Sequence, residues 1–482
     1  MRVRRVDMSW YMCDVCHSFE YDDEMGSAEG GIPAGVAPEN LPDDWTCPVC
    51  MSDKTHLKKK PGAATKEDRT KPVEADPATH ICRAPDYIEP HFVQIKTMAQ
   101  TGKPVIEPMR TARVMVSWDE ILIIAAALRR FPLNPDEAVA METVIGPDAK
   151  QPMVLSLPFY VTHMSFGALS REIKVALARG SARVGTACCS GEGGILPAEF
   201  EHAHRYIFEY VPNRYSATPE YMQRADAIEI KISQSAKPGM GGFLPGAKVT
   251  EEIATIRGFP QGHDIHSPAR FDDIHSVEEL KVKVGYLRDI SGGRPIGVKF
   301  AAGDIEGDLE VAIAAEPDFI TIDGRPGATA AAPKAVKDAT SVPTIYALDR
   351  ARRYMDDHGV EGISLVMTGG FRISADIVKG LALGADAIAM GTAPLISAGC
   401  DQYRICHTGD CPTGVTTQDP VLRARVDSER AADGVARFFA ATQTEIEDFA
   451  RLCGHHDVHD LSVRDLCTVS SEISEYTRIR HV

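Results

Sequence analysis

The chain has 482 residues, 44% of them hydrophobic, and a formal net charge of −16, a length that exceeds one ordinary domain and suits a large barrel plus a small module. The acidic balance argues against a nucleic-acid partner, which wants a basic face, and the longest apolar runs, such as Ile121 to Leu128, fall far short of a bilayer span, so no membrane partner is expected. The basic start, Met1-Arg-Val-Arg-Arg-Val-Asp, leads into an acidic and aromatic stretch rather than a signal core, and seven of twelve cysteines fall into compact ligand-like groups, which predicts a reduced, cytoplasmic, metal-binding protein rather than a secreted one.

Near the N-terminus, Cys13-Asp-Val-Cys16 and Cys47-Pro-Val-Cys50 form two C-x-x-C pairs about 30 residues apart. Each pair sits on a tight turn and offers two thiolates to one tetrahedral ion. Four sulfurs fit iron or zinc, and spacing alone leaves a zinc ribbon open. The residues between the pairs carry more: Tyr11, Tyr21-Asp22, Gly31-Ile-Pro-Ala-Gly35 and Leu41-Pro-Asp-Asp-Trp45-Thr-Cys47-Pro-Val-Cys50 together resemble rubredoxin over about 50 residues. The resemblance implies a one-electron iron site in an aromatic core that includes Trp45, with residues 1–57 as the domain. Rubredoxins usually place Gly directly after each pair, where this chain has His17 and Met51. Gly tolerates positive φ and a close approach of backbone N–H to sulfur, so these departures bear on the redox potential.

From Lys58 to about Pro77 the chain is Lys, Pro, Ala and Thr with almost no large apolar residue, which predicts a linker over 58–80. Beyond it, across 81–482, apolar β-type runs alternate with helical patterns up to about Gly399, and a helical C-terminal region follows. Candidate buried strands are Leu157–Thr162, Ala227–Ile232, Ile296–Ala301, Asp318–Ile322, Ser364–Met367 and Ala387–Met390, with helices between them such as Ala375–Leu383. Short Val/Ile-rich runs spaced by helices imply an α/β fold with a covered parallel sheet. Over this length a (β/α)8 TIM-type barrel is expected rather than an open sheet, although periodicity does not place all eight strands. No G-x-G-x-x-G follows a strand, so no nicotinamide domain is expected.

Two Gly-containing strand ends, Thr368-Gly369-Gly370 and Met390-Gly391-Thr392, lie one βα unit apart near the end of the barrel. Loops after the last two barrel strands commonly hold a phosphate, although Gly after a strand is often just a tight turn. Lys299 ends the strand-like Gly297-Val-Lys-Phe300, and a snorkelling strand-end lysine is its plain reading. Further on, Cys400-Asp-Gln-Tyr-Arg-Ile-Cys406-His-Thr-Gly-Asp-Cys411-Pro412 places three cysteines in one short loop. Three thiolates suit a cluster better than a structural zinc, while His407 leaves a Cys3His zinc site open.

Gly399-Cys400, Cys406-His407, Cys411-Pro412-x-Gly414 and Thr417-Gln418-Asp419-Pro420 resemble the 3Fe–4S segment of the glutamate synthase FMN-binding domain, and the resemblance runs from about Ser117 to Leu466. It implies a 3Fe–4S cluster on Cys400, Cys406 and Cys411, close to FMN. Met164-Ser165-Phe166-Gly167-Ala-Leu-Ser170 is similar to the family's flavin-contacting loop, and Gly369, Gly370, Gly391 and Thr392 to its phosphate loops. Lys299, Asp323 and Gly324 are expected to face the isoalloxazine, where a cation stabilises reduced flavin. Glu229-Ile-Lys231-Ile-Ser-Gln234-Ser-Ala-Lys237-Pro-Gly239 resembles the segment that helps hold 2-oxoglutarate, Ser190-Gly-Glu192-Gly-Gly194 matches S/T-G-E-G-G, and Arg214 matches the Arg of G-R-F-G. A dicarboxylate needs convergent cations, which Arg214, Lys231 and Lys237 would supply beside Glu192 and Gln234. The chain departs from the family at Met240, Ala330 and Asp410, which bears on the amine or acceptor.

Large glutamate synthases begin with a glutaminase domain whose nucleophile is an N-terminal cysteine; here a rubredoxin-like segment stands there instead. The expectation is therefore reduction of 2-iminoglutarate to glutamate, with electrons passing from an external donor protein through the rubredoxin iron and the 3Fe–4S cluster to FMN. Lys231, Gln234 and Lys299 are the expected catalytic residues. Ammonia would come free or from a glutaminase or other synthase subunit, and a homo-oligomer is left open. Ile322-Asp-Gly-Arg325, Ser341-Val-Pro-Thr-Ile-Tyr-Ala347 and Ala351-Arg-Arg353 also resemble the stand-alone subunit of N-methylglutamate synthase, which implies methylamine transfer as the alternative. A third reading, an electron-transfer module of a larger complex, is disfavoured because a relay needs no dicarboxylate pocket.

Overall fold

Apolar residues at every second position of short β runs set the plan of this chain, because alternate side chains of a strand share a face. A computed structural model describes residues 10–15, 19–23, 25–59 and 89–482. Cys16, His17 and most of the linker expected over 58–80 lie outside them. The chain divides into two units, residues 1–96 and 97–482.

The first unit is a three-stranded antiparallel sheet with Trp10–Cys13 between Glu20–Asp22 and Leu57–Lys59. Phe19, Tyr21, Ile32, Leu41 and Leu57 form its core together with Cys13 and Cys47. Trp45 packs against that core, its ring 5.9 Å from Phe19, and its indole N–H donates to the Gly30 carbonyl at 2.8 Å. A buried indole needs such an acceptor.

The second unit contains a parallel ring of eight strands: Phe159–Val161, Ala187–Cys189, Arg205–Tyr210, Ala227–Lys231, Ile296–Ala301, Phe319–Asp323, Ser364–Thr368 and Ala387–Met390. The eighth strand pairs with the first. The first and second are joined through a side chain, the Thr186 hydroxyl donating to the Phe159 carbonyl at 2.6 Å. This is the (β/α)8 barrel expected, and six of its strands coincide with the predicted runs. Ala187–Cys189 and Arg205–Tyr210 are the additions. The predicted helix Ala375–Leu383 is Ser374–Ala382.

Tyr160, Ala187, Cys189, Ile207, Ala227, Phe319, Val366, Ala387 and Ala389 fill the barrel interior with Ile145, Met153 and Leu155. The last three come from the hairpin Thr143–Ile145/Met153–Leu155. Two residues further along several of these strands the interior turns polar, at Glu209, Glu229, Lys299 and Thr321, and the register pairs Glu209 with Glu229 and Lys299 with Thr321. The strands therefore have an apolar half and a charged half, the charged one towards their C-terminal ends. Outside, the long helix Ser428–Cys453 packs on Arg171–Ala182, where a Cβ on Gly180 would stand 2.6 Å from Val435 Cβ. Among the described residues, no helix is long and apolar enough to cross a membrane.

Phe319 fills the space above Gly297: a Cβ there would lie 2.2 Å from the Phe319 ring. Gly297→Ala should overpack the barrel and destabilise it by about 1–3 kcal/mol. Denaturant titration of the full chain checks this, and an unchanged midpoint would mean that Phe319 moves freely.

Candidate active site and metal centres

Glu209, Glu229, Lys231, Lys299 and Asp323 are all buried at the C-terminal ends of four adjacent strands. Lys299 Nζ lies 3.3 Å from Glu209 Oε1 and 3.9 Å from Glu229 Oε2. Burial works to strip its proton, but Glu209, Glu229 and Asp323 outweigh it and hold the ammonium above the ordinary lysine range. His163, two residues past the first strand, adds its ring: Nδ1 accepts from the Gly191 N–H at 3.2 Å, and Nε2 stands 2.9 Å from Glu229 Oε2 without hydrogen-bond alignment. The Thr321 hydroxyl donates to the other oxygen of Glu229. His163, Glu209 and Glu229 present ligand atoms within 4.8 Å of one another, but Lys299 already supplies their cation.

The rim holds a second charged group. Lys231 Nζ lies 2.5 Å from Glu192 Oε2. Lys237 donates to the Gly241 carbonyl at 3.2 Å, and burial together with the charge of Lys231 lowers its pKa. Burial raises the Glu192 carboxyl, yet Lys231 and Lys237 draw it below its usual range. Gln234 is half-buried between the lysines in sequence, its carbonyl accepting from the Lys237 N–H at 3.2 Å. Arg214 is committed elsewhere: at φ 52° it turns its guanidinium onto Asp272 and Asp273 at 2.6 and 2.9 Å. These two carboxylates, and not Glu192, are its ion-pair partners. Asp323 is likewise tied down, accepting from the Ser235 amide at 2.9 Å and hydroxyl at 2.8 Å.

Met164 to Gly167 follow the first strand as a loop. Buried Lys174 holds it to the next loop by donating to the carbonyls of Met164, Cys189 and Ser190 at 2.7–3.1 Å, with its counter-ion Glu199 at 2.6 Å. At the seventh strand end, Gly369 and Gly370 have φ of 106° and 90°, and a Cβ on Gly369 would strike the Gly324 carbonyl oxygen at 2.0 Å. Only glycine makes that turn. Gly391 caps the helix Thr392–Ser397. The amides of a first helical turn have no intrahelical acceptor, so this donor set fits a phosphate.

In the first unit the sulfurs of Cys13, Cys47 and Cys50 lie within 4.8 Å of one another, with Cys13 and Cys50 3.6 Å apart. Thiolates around one tetrahedral ion stand about 3.8 Å apart, so this geometry fits a single metal. Burial raises the Cys50 thiol, but the hydroxyl and amide of Ser52 and the neighbouring thiols bring it down to about 6. Met51 has φ 63° and is exposed; a left-handed residue with a side chain carries the strain that Gly avoids. Cys400, Cys406 and Cys411 are not so tightly gathered: among the described residues, the groups meeting the 4.8 Å spacing exclude them. They are nonetheless close enough that Cys406 and Cys411 add to burial in raising Cys400. The buried Thr416 hydroxyl has no nitrogen or oxygen partner and stands beside Cys406 and Cys411; burial still raises Cys406, while the hydroxyls and amides of Thr413 and Thr416 outweigh burial and lower Cys411. Wider-set thiols with hydroxyls aimed at sulfur fit a multi-iron cluster better than one zinc ion.

Sequence reasoning passed over His163, Glu209, Lys174 and Ser235. Glu209 had a visible signal, a lone acid inside the apolar run Tyr206-Ile-Phe-Glu-Tyr-Val211. Lys174 had none, since nothing distinguishes it from a surface lysine of an amphipathic helix.

The conserved region in glutamate synthase matches residues 92–456, and rubredoxin matches residues 10–57. A glutamate synthase large subunit-like protein of Rhizobium meliloti is 34% identical over 408 residues, 80% of this chain and 92% of that protein. An archaeal-type glutamate synthase (NADPH) of Thermotoga maritima is 34% identical, covering 77% of this chain and 78% of the relative. An archaeal glutamate synthase (NADPH) of Methanocaldococcus jannaschii is 38% identical, covering 67% and 63%.

Burial would raise Glu209, but His163, Lys231 and Lys299 hold it down at about 2. A depressed folded pKa gives stability that is full above the unfolded value of about 4.3 and is lost as pH falls from there towards the folded value. Melting temperatures between pH 4.5 and 2.5 should fall less steeply for Glu209→Gln than for the unaltered protein, although the variant starts lower at pH 7. Parallel slopes would show that Glu209 takes up no proton in that window.

Proposed function

Since this chain belongs to the glutamate synthase family and carries an N-terminal rubredoxin domain, it is a glutamate synthase-like oxidoreductase, and we propose that it forms glutamate by reducing 2-iminoglutarate made from 2-oxoglutarate and ammonia. The observation that carries this reading is the rim above Lys299, where two largely buried lysines, Lys231 and Lys237, have Glu192 as their adjoining carboxylate. A dicarboxylate would pair with Lys237, whose ammonium donates to a backbone carbonyl, beside the Lys231–Glu192 pair. Lys231 and Lys237 hold its carboxylates and Gln234 orients it with its amide. Arg214, held by Asp272 and Asp273, is assigned to shaping the rim.

Met164, Ser165, Phe166 and Gly167 would lie against the FMN ring, Gly369, Gly370, Gly391 and Thr392 would take its phosphate, and Asp323 and Gly324 would fix the strand end between. FMN held there would supply the hydride equivalent that the imine carbon needs. Lys299 keeps its proton, so a fixed positive charge stands at the barrel mouth. Cys13, Cys47, Cys50 and Cys16 would hold one iron, and Cys400, Cys406 and Cys411 a 3Fe–4S cluster. The rubredoxin domain receives electrons from an external donor protein, and ammonia arrives free or from a partner subunit.

Reduced full-length protein should be reoxidised by 2-oxoglutarate plus ammonia, with glutamate as product. Lys231→Ala should raise the 2-oxoglutarate requirement about ten- to hundredfold, the loss of one charge-assisted contact. If 2-oxoglutarate neither perturbs the flavin absorbance nor reoxidises the protein, the substrate is another one; turnover with methylamine but not ammonia selects the transferase alternative. In a separate measurement, Cys47→Ser should abolish rapid reduction by a one-electron protein donor while reduction by dithionite persists. Equal rates would remove electron transfer from the roles of that domain.

A further inference from the structure

The loop Met164–Leu169, read above as the flavin loop, turns its carbonyls onto three buried side chains from separate parts of the barrel. Lys174 takes Met164, the Arg257 guanidinium donates to Phe166 at 2.7 Å, and the Gln418 amide donates to Leu169 at 2.9 Å and Gly167 at 3.3 Å. The next amide, that of Ser170, donates to the Val415 carbonyl at 3.0 Å. Val415 and Gln418 belong to the segment that carries the cysteines. In the same segment the Thr413 hydroxyl lies 3.3 Å from Cys411 Sγ, and Thr416 adjoins Cys406 and Cys411.

The stretch 411–418 therefore touches the thiols on one side and the flavin loop on the other. Gln418 is 7% exposed, so water does not replace its contacts. With its amide reversed, oxygen would face two carbonyls, so the nitrogen belongs there. From Ala398 to Asp419 the chain forms no helix or strand, and residues 401–404 are exposed. In a segment with so little ladder or helix bonding, a cluster on the cysteines would add to the order that these contacts supply.

We propose that Gln418 is a positioning residue through which the cysteine segment fixes the flavin loop, so that FMN retention depends on the iron–sulfur cluster being in place. This rests on the reading that Cys400, Cys406 and Cys411 hold a cluster and that Met164–Leu169 contacts FMN. The test uses full-length protein prepared anaerobically, with two readouts: the FMN dissociation constant from flavin fluorescence, and iron per chain. Gln418→Leu should keep its iron and bind FMN about tenfold more weakly, as expected for lost hydrogen bonds in a buried site. Gln418→Glu, whose carboxylate would face the same carbonyls, should be weaker still. Cys406→Ser should lose the cluster iron and weaken FMN to a similar degree, and adding Gln418→Leu to it should cost little more, because the two act through one contact.

An unchanged FMN constant in Gln418→Leu with iron intact overturns the positioning role. Loss of iron along with FMN in that variant makes Gln418 a general structural residue and also overturns it. Fully additive losses in the double variant overturn the dependence on the cluster. An unaltered protein that binds no FMN, or no iron beyond the rubredoxin site, sinks the cofactor reading itself and this inference with it.

Discussion

A lysine ammonium buried in a barrel interior costs several kcal/mol unless carboxylates come with it, and the 3.3 Å contact between Lys299 and Glu209 is where this protein meets that cost. Glu209 in turn brings Glu229, its register partner on the neighbouring strand; the Thr321 hydroxyl donates to one oxygen of Glu229, and the His163 ring stands 2.9 Å from the other. Four strands and the loop after the first are thus fixed by one charge balance. Removing any member leaves a buried charge without its complement, which is more damaging than never having buried it.

That balance also explains the division of each strand into two halves. Below the charged layer the interior is Tyr160, Ile207, Ala227, Phe319 and Val366, closed by the hairpin residues Ile145, Met153 and Leu155. This half supplies apolar burial in proportion to area. The upper half contributes little of that and is held by specific contacts instead, so geometry there is dictated by partners rather than by packing. Lys174 shows the same logic outside the ring: its three carbonyl acceptors belong to two successive loops, and Glu199 answers its charge.

What was legible in the sequence follows the physics of each feature. Six strands announced themselves because each lies in a short, mostly apolar run bounded by turn or helix signals. Ala187–Cys189 is short and built of small residues, and the apolar run of Arg205–Tyr210 is interrupted by Glu209, so both are weaker signals. The cysteine groups were visible because ligand spacing is local in the chain. Arg214 is the opposite case: its motif marks a position, but its ion-pair partners are Asp272 and Asp273, 58 and 59 residues further on. Pairings across the barrel mouth, such as Ser235 with Asp323, have no local signature at all.

The two cysteine sites are built on different principles. In the rubredoxin domain the Cys47-x-x-Cys50 turn is tight enough to bring sulfurs within 4.8 Å of Cys13, and it forces Met51 to φ 63° to do so. The cost of that left-handed residue is borne by a domain with its own sheet and aromatic core, which can hold the turn rigid. The segment that carries the C-terminal cysteines contains no strand of its own. Their segment is anchored instead by side chains reaching across to the barrel: Lys248 donates to the Cys406 carbonyl at 2.8 Å, and Gln418 to the loop after the first strand. A site supported this way shares its order with its neighbours, so whatever stabilises the thiols also stabilises the loop at the barrel mouth. The first site rests on its own sheet and aromatic core; the second shares hydrogen bonds with the loop after the first barrel strand.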